Sequence, residues 1–271
     1  MSIAREIRIR SLVAVATLSC LSAGVWGQQP VQRMATYPSF PAGQTTYIVP
    51  PNEANLIIDT LTIPSGHTLQ AGAGVTSINW RVTTLSFGTN ATVDLSSLYS
   101  APNGVPGGGF NQAYYCVAGV KGQPGGPGSV GGAGVDFTIS GLTTVDTNSG
   151  QGSLWIKTDG GNGGAGGVGG RGQQGGGPKT GGVFGIGNCG GAVGGPGGDG
   201  GSGGAGGHVA KATFVYAAGA TPVLIVTGVA ATCGASQRPP AVQGATGKIV
   251  VWGATGCPGA RGPNGQGGQG G

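Results

Sequence analysis

The chain has 271 residues, 64 of them Gly, with only 8% charged and 6% aromatic. Ordinary domains carry about 7% Gly and about 25% charged residues, which excludes an average globular fold as the starting expectation. The formal net charge of +5 is spread thinly and no Lys/Arg cluster exists, which excludes a nucleic-acid footprint.

Residues 1–27 read as a secretory signal peptide. Arg5, Arg8 and Arg10 form a basic start, Ser11 to Gly24 is apolar, and Val25 and Gly27 supply the small residues before a cleavage after Gly27. The apolar stretch is short for the roughly 20 residues that a membrane span needs. Thr17-Leu18-Ser19 is a poor lipobox ahead of Cys20, and no later segment is long and apolar enough to span a membrane. Cleavage leaves 10 Lys/Arg against 7 Asp/Glu, and four cysteines: Cys116, Cys189, Cys233 and Cys257. An even count in an exported chain favours disulfides. The expected location is secreted or cell-surface, in an exporting bacterium.

Residues 28–45 read as a leader. From 46 to 100 the pattern is that of strands: Thr46–Val49, Asn55–Ile63, Trp80–Phe87 and Ala91–Leu95 are rich in Thr, Val and Ile, are bounded by Gly, Pro and Asn, and lack a helical period. Leu61, Ile63, Thr68 and Leu69 recur as Leu85, Phe87, Thr92 and Val93, displaced by 24 residues. A strand–turn–strand unit repeating at that spacing resembles one coil of a β-solenoid; a small β-sandwich is the alternative.

Beyond Ser100, which 57 of the 64 glycines follow, the period changes from two to three. Glycines fall every third residue from Gly119 to Gly134, Gly160 to Gly175, Gly191 to Gly206 and Gly253 to Gly271. Strand candidates lie between the runs: Asp136–Ser140, Ser153–Lys157, Val209–Tyr216, Pro222–Thr227 and Lys248–Trp252. A three-residue repeat with an extended rise is the geometry of polyproline II, which has no internal hydrogen bonds. Its amides need outside partners, and an all-glycine face lets a second backbone come close enough to supply them. The expected fold is therefore mostly β and irregular, with almost no α-helix after the signal peptide. A small β-solenoid-like framework carries a bundle of polyglycine II helices over 101–271. The runs with two glycines in three (160–172 and 194–206) are expected inside and the others at the periphery. A flexible linker would not hold register through four runs, and a collagen triple helix would need more Pro and no interrupting strands.

Residue counts set heights for the cysteines. Cys116 lies 21 residues before Phe137 and Cys189 lies 20 before Val209, so both are expected roughly 60 Å out at 3.1 Å per residue. Cys233 and Cys257 follow Thr227 and Trp252 by six and five residues and sit low. Matched heights select Cys116–Cys189 and Cys233–Cys257 from the three possible pairings.

The GGN-GGA-GGV-GGR run from Gly160 and the GGP-GGD-GGS-GGA run from Gly194 resemble the glycine-rich helical bundles of springtail antifreeze proteins and of the tip adhesins on T-even-like phage tail fibres. The combination of Ala91–Ser96, glycine runs and Ser153–Asn162 is similar to bacterial secreted collagen-like proteins. The adhesin resemblance implies that distal loops, here Phe110 to Ala118 and Pro178 to Asn188, contact a surface receptor. Phe110, Tyr114, Tyr115 and Phe184 are the candidate binding residues, with a plug at the end of the bundle as the other role open to them. The expected partner is a cell-surface or glycan receptor, or a second copy of the chain, and the function structural and adhesive. The antifreeze resemblance implies a water- or ice-ordering face instead, but Arg171, Asp199 and Val168 interrupt it.

No catalytic constellation is visible. His67 and His208 have no ligand neighbours at metal spacing, no nucleophile elbow or H-E-x-x-H exists, and the glycine motifs open no helix. Asp159-Gly-Gly-Asn162 is a weak calcium candidate. A non-enzyme without cofactor or metal is expected.

Overall fold

The computed structural model describes residues 31–148, 150–180, 189–227, 233 and 247–271. The expected signal peptide, Phe184 and most of the Pro178–Asn188 loop lie outside these residues. Gln32–Gly271 forms one compact unit; of the other unit, Met1–Val31, only Val31 is described.

Twelve strands are present among the described residues, with one 3-10 turn at Pro51–Glu53. They are β1 (Gln32–Tyr37), β2 (Thr46–Val49), β3 (Asn55–Ile63), β4 (Thr68–Ala71), β5 (Ser77–Phe87), β6 (Ala91–Asp94), β7 (Asp136–Leu142), β8 (Thr144–Asp146), β9 (Ser153–Lys157), β10 (Ala212–Tyr216), β11 (Ile225–Thr227) and β12 (Lys248–Trp252). They form two six-stranded sheets, one in the order β1-β3-β5-β7-β10 with β8 beside β5, the other β11-β12-β9-β6-β4-β2. Every strand pair is parallel. The 24-residue displacement seen in the sequence is the pairing register itself: Leu61 faces Leu85, Ile63 faces Phe87, Thr68 faces Thr92 and Leu69 faces Val93.

This differs from the expected fold. Two all-parallel sheets draw strands from both sides of residue 100, and neither a β-solenoid within 46–100 nor a bundle of polyglycine II helices carried on it describes the architecture. The physical reason is the apolar content of β7, β9 and β12. Phe137, Ile139, Leu154, Ile156 and Ile249 are buried and belong to the same core as Leu56, Ile58, Leu69 and Leu85. Those faces close on that shared core, so strands expected as interruptions between glycine runs extend the sheets instead.

The core lies between the sheets. Along β3 and β5 the buried residues alternate, as expected where one face meets the core. An aromatic column crosses the first sheet: Tyr37, Trp80, Phe137 and Phe214 stand edge to face at 5.1, 5.7 and 6.2 Å between ring centres. Trp80 also donates its indole N–H to the Glu53 carbonyl at 2.8 Å. A smaller cluster of Trp155, Val250 and Trp252 covers the outer face of β9 and β12.

The glycine-rich segments carry no regular secondary structure, yet they are held in register. Gly119, Gly122, Gly125, Gly128, Gly131 and Gly134 donate to the carbonyls of Val193, Pro196, Asp199, Ser202, Ala205 and His208 in order, a parallel alignment stepping by three. Gly160 to Gly175 donate likewise to Ala254 through Gln269. Antiparallel alignments cross-link the set, with Gly161, Gly164, Gly167 and Gly170 donating to Gly132, Ser129, Gly126 and Gln123. Segment 160–176 bonds to 101–113, 117–134, 191–207 and 254–271, the largest set of neighbours. Within it Gly166 donates to Ala260, Gly167 donates to Gly126, and the Val168 carbonyl accepts from Gly107 while its side chain faces outward. A Cβ on Gly166 would strike the Gly201 carbonyl, and one on Gly167 the Val105 carbonyl.

Candidate functional site

The hydrogen-bond register sets where the runs end. Bonds at one end join Ser97 to Asp159 and Gly160 to Ala254, beside the sheets; bonds at the other join Gly176 to Val117 and Gly271 to Ala192. The far end therefore gathers residues 113–117, 174–180 and 189–193, and it contains Tyr114 and Tyr115, two of the four aromatic residues singled out in the sequence.

Tyr114 to Val117 forms a tight turn, the Val117 amide donating to the Tyr114 carbonyl at 3.1 Å. Cys116 occupies it with φ +66°, in the left-handed region that a residue with a side chain adopts only when its surroundings hold it there. Those surroundings are explicit. Cys116 is disulfide-bonded to Cys189 with Cα atoms 5.8 Å apart. Its amide donates to Gly177, and Ala113 donates to Gln174. Lys179 and Cys189 exchange a pair of backbone bonds at 3.2 Å. The turn thus displays Tyr114 at 89% exposure and Tyr115 at 67%, with Phe110 at 42%. The Tyr115 ring rests over Gly177, where a Cβ would meet it at 4.0 Å. At those exposures the Tyr114 and Tyr115 rings face solvent and are not packed into a core. The structure brings Tyr114, Tyr115 and the first disulfide together.

Cys233 is bonded to Cys257, Cα atoms 4.4 Å apart. Two disulfides of this kind persist in oxidising compartments outside the cytosol. Among the described residues no helix is long and apolar enough to cross a membrane.

The remaining polar candidates are engaged structurally. Asp159 accepts from the Ala254 amide at 2.8 Å and pairs with Lys157 at 3.3 Å, and Asn162 accepts from the Cys257 amide at 2.8 Å. His67 lies 2.9 Å from the Ser65 carbonyl and against Phe40. Lys121 and Asp199 join neighbouring runs, and the Lys121 ammonium holds the Asp199 carboxyl below the usual carboxylate range. Tyr37 and Tyr47 both donate to one oxygen of Glu53, at 2.8 and 2.7 Å. Burial, followed by these bonds, raises both hydroxyls above their ordinary value. Sequence reasoning did not single out this triad, because its members are spread over seventeen residues with no motif spacing. No group of three or more His, Cys, Asp or Glu side chains among the described residues is placed to hold a metal ion.

No family model, no curated protein and no solved structure matches the chain.

Proposed function

We propose that this is an exported structural and adhesive protein whose laterally bonded glycine runs hold the 110–118 turn out toward a cell-surface or glycan receptor. The observation that carries the reading is the exposure of Tyr114 and Tyr115 on a turn fixed by the Cys116–Cys189 disulfide and by backbone bonds to the neighbouring segment. Exposed aromatics normally cost solubility, so a rigid pair of them at one end of a molecule suits contact with a partner. Tyrosine also supplies large contact area at low conformational cost. No catalytic role is assigned to any residue.

The test is adhesion of the oxidised protein to glycan-coated surfaces and to bacterial and eukaryotic cells, with and without the double substitution Tyr114→Ala, Tyr115→Ala. Loss of binding by roughly tenfold or more, with an unchanged melting temperature, is the expected result. Unchanged adhesion sinks the proposal. Thermal hysteresis without adhesion supports water or ice interaction instead.

A further inference from the structure

A second candidate site lies at the opposite end of the runs, where the chain passes from the sheets into the glycine segments. After β6 the backbone crosses 96–101 as a ridge, its Ser97 amide donating to the Asp159 carbonyl at 2.9 Å. Tyr99 stands on that ridge at 53% exposure, between Gly132 and Gly161, whose missing side chains leave it room. A hollow of about 310 Å³ on one side is lined by Val75, Ala133 and Val135 among others. On the other side runs a groove of about 510 Å³ lined by Asn103, Lys157, Asp159 and Asn162. Both volumes fall in the range of small-molecule sites, roughly 300–1,000 Å³.

The polar side chains of the groove are fixed in a common way. Asn103 accepts from the Ala165 amide at 2.9 Å, Asn162 from Cys257 at 2.8 Å and Asp159 from Ala254 at 2.8 Å. Each is anchored through its Oδ1 to a backbone N–H of a neighbouring run. The two amide groups consequently keep their Nδ2 donors for a ligand, and Lys157 has N–H groups beyond the one directed at Asp159. The ordering cost of these donors is already met by the fold.

We infer that this groove binds a neutral carbohydrate chain, one sugar ring lying on the Tyr99 face and its hydroxyls bonding the Asn103 and Asn162 amides and Lys157. The chemistry selects this class. The Lys157–Asp159 pair cancels in charge, so the groove offers no net positive charge to hold phosphate, sulfate or uronate groups. A purely apolar ligand would leave the fixed donors it covers unpaired. Hydroxyls both donate and accept, and an aromatic face beside planar amides matches a pyranose ring, apolar on its face and polar around its edge. The inference does not depend on the aromatic turn at the far end.

Calorimetric titration of the full oxidised chain with cellohexaose, laminarihexaose, maltohexaose, mannohexaose and chitin hexasaccharide, alongside a neutral ten-residue peptide, tests it. At least one hexasaccharide should bind with Kd below about 1 mM. Tyr99→Ala should weaken that binding roughly tenfold. Asn162→Asp keeps the acceptor for the Cys257 amide while replacing the donor by a charge, so it should weaken binding without altering the melting temperature. Tyr114→Ala with Tyr115→Ala should leave it within about twofold. Failure of all five sugars overturns the inference, as does binding of the peptide alone, or binding insensitive to both Tyr99→Ala and Asn162→Asp.

Discussion

In the sheets the buried matter is side chain; in the glycine runs it is backbone. Trp80, Leu85 and Ile58 fill the space between sheets at 1% exposure or less, and their own strands bond edge to edge. Gly166 and Gly167 bring their carbonyls and amides against three neighbouring segments and contribute no side chain at all. Both regions satisfy their amides, as any buried backbone must. They differ in what breaks them: the sheet region is sensitive to atoms removed, the run region to atoms added.

The largest expected effect is in the sheets. Trp80→Ala removes a ring packed against Tyr37 and Phe137 and strands the Glu53 carbonyl, and should cost about 3–5 kcal/mol. Urea unfolding measures it, and a loss below about 1 kcal/mol would show that the column is not cohesive. Next comes Gly167→Val in the runs. A side chain there meets a backbone carbonyl that cannot swing aside, so a loss of about 3 kcal/mol is expected from overpacking. Val168→Ala, one residue along and facing outward, should stay within about 0.5 kcal/mol. Equal effects at 167 and 168 would erase the distinction between the regions.

A further effect is an alkaline pH dependence of the sheet region. The Tyr37 and Tyr47 hydroxyls are raised above their ordinary pKa of about 10. The folded state therefore keeps protons that the unfolded chain loses. Their contribution is complete below about pH 10 and declines as pH climbs from there toward the folded value. Tyr37→Phe should cost about 1 kcal/mol at neutral pH and make the alkaline decline shallower. Denaturant melts between neutrality and strong alkali check this, and parallel slopes for the two proteins would refute it.

Strands with one buried face were legible in the sequence, because period two is visible from Asn55 to Ile63 and from Trp80 to Phe87. β9 was found by its β-branched and aromatic content, since Ser153 to Ile156 are all buried and show no alternation. β1 was read as leader because only Tyr37 in it is buried. β8, three residues long beside the far half of β5, gave no signal at all. The sheet to which each later strand belongs was not legible, because the 24-residue offset is lost once a glycine run intervenes: Asp136 pairs with Ser77 across 59 residues. At the far end, the aromatics of 110–118 stood out against their glycine surroundings. The groove near the sheets did not, since Asn103 and Asn162 meet only through the alignment of two runs.

The three-residue step has a consequence for how such a chain changes over generations. In segment 160–176 successive residues address different surroundings: Gly166 bonds one segment, Gly167 another, and the Val168 side chain points to solvent. An insertion or deletion of one or two residues would rotate every later residue onto the wrong neighbour, placing side chains against carbonyls along the remainder of the run. Tolerated length variants should come in whole triplets, matched in the adjoining segment so that the disulfide partners still meet.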